Sequence, residues 1–227
     1  MARLFGTDGV RGVVGSELTP ELALRLGRAI GVVFGKGSRI LLGRDVRAGG
    51  DLLAKAVASG LQAEMVKVYN AGLLPTPALQ YMVKSEGFDG GVMITASHNP
   101  PEYNGIKVVD SDGIEISREK ERVIEEHYFK GTASVTEWRA LVASEALHTG
   151  ALERYIEAII QHVDPQVIAK RGFKVVVDCA NSVGALVTPK LLSLLKAKPI
   201  TINCDLNPEF PGREPEPTPD SLRLASL

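Results

Sequence analysis

A short polar segment that directly follows an apolar run carries residue types able to transfer a group to or from a ligand. The segment TASHNP, residues 95–100, comes after the apolar run 92–94 and leads into a second proline. Within it, Ser97 can act as a nucleophile or carry a phosphoryl group, and His98 can move a proton. Lys107 follows closely and adds a positive charge that can stabilise an anion. The same composition also suits an ordinary polar turn whose side chains bind loop backbone, so both interpretations stay open.

The expected fold favours a working site at this position. In open α/β sheets, ligands bind beyond the carboxyl ends of the strands. Ser97 lies just past the end of a predicted strand, and Asn99 adds an amide that can donate and accept hydrogen bonds. We therefore expect these two residues, with His98, to lie at a ligand-binding edge of the sheet.

Two further segments combine glycines with charged residues. The sequence FGTDGVRG, residues 5–12, is either a solvated turn or a loop whose glycines let its backbone approach a ligand while Arg11 binds a phosphate. In GRDVRAGGD, residues 43–51, the same two interpretations apply, and we favour Arg44, Asp45 and Arg47 as structural ion pairs at the end of a strand.

Composition and motif spacing exclude several classes of function. The net charge is −1, with 26 basic and 27 acidic residues and no basic stripe, so we expect neither nucleic-acid nor membrane binding. The glycines of residues 31–37 miss the Walker A spacing, no serine lies in a G-x-S-x-G elbow, and the histidines lack metal-ligand spacing. No signal-peptide segment is present at the N-terminus, and Cys179 and Cys204 look like reduced core residues, so we expect a cytoplasmic location.

Helix-like and strand-like periodicities alternate along most of the chain. This pattern predicts an α/β fold with a mixed, largely parallel sheet sandwiched by helices. Thr19 and Pro20 form a typical helix start, as N-cap and first helical residue. The remaining predicted helices are 51–64, 76–86, 118–129, 152–162 and 185–195. The predicted strands are 39–43, 66–69, 91–95, 174–178 and 200–203, with a hairpin of 106–109 and 114–116 around an Asp-Gly turn.

We place a domain boundary near Gly150. Residues 1–149 contain enough elements for a complete α/β domain, whereas residues 150–227 contain two clear strands and the start of a final helix. Because a two-stranded sheet is a poor domain, we expect a second, similar domain that is incomplete in a chain cut short. The alternative is a small terminal unit that packs on the first domain.

Three segments of the chain resemble the α-D-phosphohexomutases, and they follow each other along the chain as they do in that family. TASHNPPEYNGIK, residues 95–107, is similar to the family's phosphoserine signature, and FGTDGVRG is similar to its N-terminal loop. NPEFPGREPEPTPDSL, residues 207–222, is similar to the proline-rich loop of its second domain. The likeness is greatest to archaeal-type phosphomannomutase/phosphoglucomutase enzymes, followed by phosphoglucosamine mutases.

The resemblance implies a role for each residue of the motifs. Ser97 would carry the phosphoryl group and exchange it with a hexose phosphate through a hexose bisphosphate. Arg11 would contact that group, His98 and Lys107 would serve proton transfer or transition-state charge, and Asn99 would support the site. The resemblance also implies Mg²⁺, contacted through a phosphate oxygen on Ser97, and allows a homodimer.

The resemblance covers only the N-terminal half of such an enzyme. The metal-binding run Asp-Gly-Asp-x-Asp-Arg of the family does not occur in this sequence, nor do its sugar-recognition loop and phosphate-binding domain. We therefore expect the chain alone to have little or no mutase activity. A non-catalytic module that binds a phosphorylated ligand or a partner chain remains the competing hypothesis.

Overall fold

The computed structural model describes residues 3–131, 138 and 145–226, and its main feature is a six-stranded mixed sheet. The strands are β1 Val10–Val13, β2 Arg39–Arg44, β3 Lys67–Leu73, β4 Gly90–Ile94, β5 Tyr103–Asp110 and β6 Glu145–Leu147. They lie in the order β1-β5-β4-β2-β3-β6; β2, β3, β4 and β6 run parallel, and β5 pairs antiparallel with β1 and β4. This arrangement confirms the predicted mixed, largely parallel α/β sheet.

Helices cover both faces of this sheet. The helices of the chain are α1 Pro20–Phe34, α2 Gly50–Ala63, α3 Thr76–Ser85, α4 Arg118–Lys130, α5 Ala151–Ile160, α6 Pro165–Arg171 and α7 Thr188–Leu194. One apolar cluster joins α1, α2 and α4 to the strand residues Leu42, Val92 and Ile106. A second cluster joins α3 to Leu41 and Met93, which point to the opposite face. All five residues of β4 are buried, as expected for a strand that is covered on both sides.

Local sequence signals set most of the helix starts. The side chain of Thr19 accepts a hydrogen bond from the backbone N–H of Leu22, with Pro20 at the first helical position, as predicted. Ser117 caps α4 in the same way. The predicted elements of the first 131 residues lie within a few residues of the observed ones.

Four sequence-based assignments need correction. Val10–Val13, interpreted as part of a loop, is a strand, because its backbone pairs with β5. The second arm of the predicted hairpin is a single bridge between Val109 and Glu115. The predicted helix 185–195 consists of a short 3₁₀ turn, Val183–Leu186, followed by α7, because Pro189 is tolerated only in the first turn of a helix. The final helix is only a 3₁₀ turn, Arg223–Ser226.

The C-terminal part of the chain contains a separate, parallel two-stranded sheet. Its strands are β7 Lys174–Asp178 and β8 Lys198–Ile202. Phe173, Val176 and Ile200 on and beside these strands are each about half exposed, at 50%, 47% and 51%. Helix α5, in contrast, buries Ala151 in the apolar cluster of α3. The domain boundary near Gly150 remains a prediction.

The two cysteines lie together at the ends of β7 and β8. Their Sγ atoms are 3.0 Å apart, and Cys179 is buried while Cys204 is partly exposed. Burial, together with the contact to Cys204, raises the pKa of the Cys179 thiol to about 12, so this thiol is protonated at neutral pH. Among the described helices, none is long and apolar enough to cross a membrane.

Candidate functional site

Ser97 begins a tight loop at the carboxyl end of β4, as its position in the sequence predicted. We refer to residues 97–103 as the Ser97 loop. Ser97 itself is exposed and has a φ of 57°, in the left-handed region that non-glycine residues seldom adopt. Pro100 and Pro101 follow within the loop, which ends where Tyr103 opens β5. The serine hydroxyl is thus presented to solvent on a backbone of unusual conformation.

Thr95 holds the start of this loop from inside the protein. Its buried hydroxyl accepts a hydrogen bond from the backbone N–H of Ser97 at 3.0 Å and donates one to Asp45 Oδ2 at 2.5 Å. Burial raises the pKa of the Asp45 carboxyl, and the hydrogen bond from Thr95 and the charge of Arg47 oppose that rise. The Ser97 loop is therefore tied to the end of β2 through Thr95.

Asp45 and Arg47 form the predicted ion pair, with Nε and Oδ2 3.4 Å apart. Sequence reasoning missed a further role of Arg47, whose guanidinium also donates to backbone carbonyls of the Ser97 loop. These carbonyls lie 50 to 56 residues away in sequence. No local pattern signals such contacts, since they depend on β2 and β4 being neighbours in the sheet.

Asp8, a residue with no predicted role, connects Lys107 to Arg11, which is itself hydrogen bonded to Asn99. Arg11 Nη1 donates to Asn99 Oδ1 at 2.7 Å, and Arg11 Nη2 forms a short ion pair with Asp8. The other oxygen of Asp8 lies 2.5 Å from Lys107 Nζ, which also lies 3.2 Å from Glu115. Asp8 thus bridges the two cations. The one available signal for it was its place between glycines in FGTDGVRG.

The charge state of Asp8 follows from these contacts. Partial burial alone would raise the pKa of its carboxyl, but the hydrogen bond and charge of Lys107 and the charge of Arg11 lower that pKa below the ordinary 3.8. Asp8 is therefore ionised at neutral pH. With Glu115 beside Lys107, the cluster next to Asn99 contains two cations and two carboxylates.

Close backbone packing allows this arrangement between β1 and β5. Gly105 lies opposite Arg11 in the antiparallel register. A Cβ at this position would lie 2.6 Å from Thr95 O and 3.0 Å from Arg11 Cγ and from Val10 O. Because Gly105 has no side chain, the Arg11 side chain can pass over β5, the strand that follows the Ser97 loop.

His98 lies between the Ser97 loop and the proline-rich loop of the C-terminal part. Its Nδ1 is 3.5 Å from Ser97 Oγ, and its Nε2 is 3.6 Å from Glu216 Oε2. The cleft beside it has a volume of about 790 Å³ and is lined by His98 and Pro100 on one side and by Arg213, Glu216 and Ser221 on the other. A ligand in this cleft would contact both loops.

The described residues do not form a metal site by themselves. Among residues 3–131, 138 and 145–226, no group of three or more His, Cys, Asp or Glu side chains is placed to hold a metal ion. The contact between Mg²⁺ and a phosphate oxygen on Ser97 remains a prediction.

Comparisons with known proteins agree with the resemblance of the motifs. Residues 2–135 match the family described as phosphoglucomutase/phosphomannomutase, alpha/beta/alpha domain I, and residues 153–227 match domain II of the same family. A phosphoglucosamine/phosphogalactosamine mutase from Sulfurisphaera tokodaii is 56% identical over 98% of this chain and 49% of its own length. A phosphoglucomutase/phosphomannomutase from Thermococcus kodakarensis is 40% identical over 98% of this chain and 49% of its own length.

A solved structure extends this similarity to the fold. A phosphoglucomutase/phosphomannomutase family protein from Burkholderia thailandensis superposes with a TM-score of 0.82 at 27% identity, over 97% of this chain and 48% of the other. The chain spans about half the length of the curated relatives it matches.

Proposed function

We propose a phosphoryl-transfer function at Ser97 for this chain, which belongs to the phosphoglucomutase/phosphomannomutase family. In this proposal the chain supplies the phosphoserine part of a mutase that interconverts hexose 1-phosphate and hexose 6-phosphate. The observation that carries it is the exposed hydroxyl of Ser97 on a fixed backbone, in a loop whose Asn99 binds Arg11, which Asp8 in turn links to Lys107.

The reaction needs two transfers of one phosphoryl group each. First, the 6-hydroxyl of a hexose 1-phosphate attacks the phosphorus on Ser97 and releases its proton, while the serine oxygen leaves and takes up a proton. The product is a hexose 1,6-bisphosphate and a free serine hydroxyl. Ser97 Oγ then attacks the phosphorus at C1 and gives up its proton. The hexose oxygen takes a proton in return, which gives hexose 6-phosphate and restores the phosphoserine.

The residues near Ser97 suit these two steps. Phosphoryl transfer depends mainly on alignment and on positive charge near the transferred oxygens. The Arg11 side chain is 22% exposed, so its guanidinium can contact a phosphoryl oxygen in addition to Asn99 and Asp8. Lys107 adds charge, and His98, whose Nδ1 is 3.5 Å from Ser97 Oγ, is placed to take or return a proton. Asn99 orients Arg11 through their hydrogen bond.

Two classes of sugar phosphate are candidates. Our first proposal is a glucose or mannose phosphate, the class that the motifs suggest and that the name of the Thermococcus relative gives. The second is a glucosamine phosphate, which the name of the 56% identical Sulfurisphaera relative favours. Comparison of glucose 1,6-bisphosphate with glucosamine 1,6-bisphosphate as donors to Ser97 separates these two classes.

The covalent intermediate provides a direct test. The chain, as purified and after incubation with each bisphosphate and Mg²⁺, is analysed by intact-mass spectrometry and peptide mapping. We expect the mass of one phosphoryl group on Ser97, absent from Ser97→Ala and retained in Ser111→Ala, whose serine lies in a distant exposed turn. Sugar phosphate binding without any phosphoryl group on Ser97 would instead support the non-catalytic binding module.

A coupled mutase assay tests how much activity the chain has alone. We expect turnover near the background, because the carboxylate run of the family is not in this sequence. Normal turnover would refute that expectation. The cytoplasmic location, the absence of nucleic-acid binding and the possible homodimer remain predictions.

A further inference from the structure

The buried side chain of Arg47 holds the backbone of the Ser97 loop. Its Nη1 donates to the carbonyl oxygens of Pro100 at 2.7 Å and Tyr103 at 3.0 Å. Its Nη2 donates to those of Ser97 at 2.8 Å and Asn99 at 2.6 Å. All four acceptors are main-chain atoms, so the guanidinium fixes the path of the loop independently of its side chains.

The environment of Arg47 keeps these hydrogen bonds strong. The side chain is completely inaccessible to solvent, and Asp45 provides the opposite charge. Burial lowers the pKa of the guanidinium and the charge of Asp45 raises it, but an arginine stays protonated at any neutral pH. A charged donor makes shorter and stronger hydrogen bonds to carbonyl oxygens than a neutral one does.

Phe210, in the proline-rich loop, covers the guanidinium of Arg47. The ring of Phe210, which is buried, lies over the guanidinium with its centroid 5.1 Å from Arg47 Cζ. A guanidinium is attracted to the face of an aromatic ring, most strongly when both are shielded from water. Phe210 therefore shields Arg47 on the side that faces the C-terminal part of the chain.

We propose that Arg47 is a positioning residue for phosphoryl transfer at Ser97, acting through the four carbonyls of the Ser97 loop. The proposal rests on the function proposed above and assigns Arg47 no contact with the transferred group. Its action is to keep Ser97 in the left-handed conformation that exposes the hydroxyl. In-line transfer is sensitive to displacements of about 1 Å, so a loosened loop slows the reaction even when the ligand still binds.

The variant Arg47→Lys tests this with little change in charge or volume. A lysine ammonium has three donors and lacks the planar fork, so it cannot satisfy the four carbonyls together. Arg47→Met removes the charge as well. The matched control is Arg44→Lys, because Arg44 lies at the same strand end but is partly exposed and, among the residues that the structure describes, donates a single 3.3 Å hydrogen bond, to Asp45 O.

Hydrogen exchange reports the order of the loop without depending on any enzymatic function. The amide of Asn99 donates to Ala96 O, just before the loop, and that of Tyr103 donates to Pro100 O within it, at 3.1 Å in both cases. We expect these amides to exchange roughly tenfold faster in Arg47→Lys, since each charge-assisted hydrogen bond is worth about one factor of ten. Amides of β2 and β4 should change little, and Arg44→Lys should match the wild type. Wild-type exchange of the loop amides in folded Arg47→Lys would overturn the proposal, even if Arg47→Met does not fold.

The rate of Ser97 phosphorylation by a hexose 1,6-bisphosphate separates positioning from binding. We expect the maximal rate to fall by about tenfold in Arg47→Lys and further in Arg47→Met, with the half-saturating ligand concentration changed by less than about threefold. Equal maximal rates in the wild type and Arg47→Lys would refute positioning. If Ser97 of the wild type is never phosphorylated, the proposed function itself fails, while the exchange comparison still decides whether Arg47 orders the loop.

Discussion

The hydroxyl of Thr95 should contribute a large share of the stability of the site, and Thr95→Val removes it with little change in volume. In the wild type this buried hydroxyl donates to Asp45 Oδ2 at 2.5 Å and accepts from the backbone N–H of Ser97 at 3.0 Å. A hydrogen bond to a charged group contributes about 1.5–3 kcal/mol and a neutral one about 0.5–1.5 kcal/mol. We therefore expect Thr95→Val to lower the free energy of unfolding by about 2–4 kcal/mol.

The matched control is Thr95→Ser, which keeps the hydroxyl and loses one buried methyl group. That loss costs about 1 kcal/mol. Urea denaturation followed by circular dichroism measures both variants against the wild type. If the serine variant is as unstable as the valine variant, the stabilisation comes from packing of the methyl group, and the hydrogen-bond argument is wrong.

The pH dependence of this difference provides a second check. Burial raises the pKa of Asp45 and the hydroxyl of Thr95 lowers it, so in Thr95→Val the pKa of this carboxyl should rise further. Above both pKa values Asp45 is ionised in both proteins, and the full stability difference is present. As the pH falls through these values the variant takes up its proton first, so the difference should shrink towards acid pH. A difference that is constant from pH 7 to acid pH would show that the hydroxyl does not interact with the charged form of Asp45.

Three further variants test other contacts at the site. Gly105→Ala should lower the free energy of unfolding by about 1–3 kcal/mol, because the added Cβ would lie 2.6 Å from a backbone oxygen. The control is Gly50→Ala, where the nearest atom to the added Cβ is 3.5 Å away. In the same denaturation experiment this control should be neutral or slightly stabilising. Asp8→Asn should cost about 1 kcal/mol at pH 7, since the carboxylate is about a third exposed. Because the pKa of Asp8 is lowered in the folded protein, this cost should be complete well above the ordinary 3.8 and should shrink as the pH falls from there through the lower pKa of the folded state. A cost in thermal melts that does not shrink on acidification would contradict this assignment. Ser97→Gly should be more stable than Ser97→Ala by about 1 kcal/mol, because glycine adopts the observed φ of 57° without strain, and equal melting temperatures would argue against that conformation.

Much of the fold could be predicted because its signals are local. Alternating periodicities placed most strands and helices, and the N-cap at Thr19 placed the start of α1. Strand β1 was not predicted, because its four residues include a charged residue and a glycine and so lack a strand-like apolar pattern. Its pairing with β5 depends on the sheet order, which the sequence does not state.

For the candidate site too, residues in a contiguous motif could be predicted, whereas residues that depend on distant partners could not. The position of Ser97 beyond the end of a strand followed from a contiguous motif, and the structure places it there. Asp8 and Arg47 were missed as site residues because their importance comes from partners brought close by the sheet, across 99 residues between Asp8 and Lys107 and about 50 between Arg47 and the Ser97 loop. The place of Asp8 between glycines just before β1 could have pointed to it, whereas no local pattern signals the contacts of Arg47 with the Ser97 loop.

The contacts of Ser97 explain why a serine on this loop suits a group that must be received and returned. Both backbone groups of Ser97 are bound, the N–H by Thr95 and the carbonyl by Arg47, while the side chain stays exposed. A fixed backbone reduces the displacement between two successive transfers, and an exposed hydroxyl leaves room for either end of a sugar phosphate. Because Phe210 lies against the same Arg47, the geometry of Ser97 depends on both parts of the chain. It follows that a substitution at Phe210, which touches no reacting atom, should slow transfer by loosening the Ser97 loop rather than by weakening sugar binding.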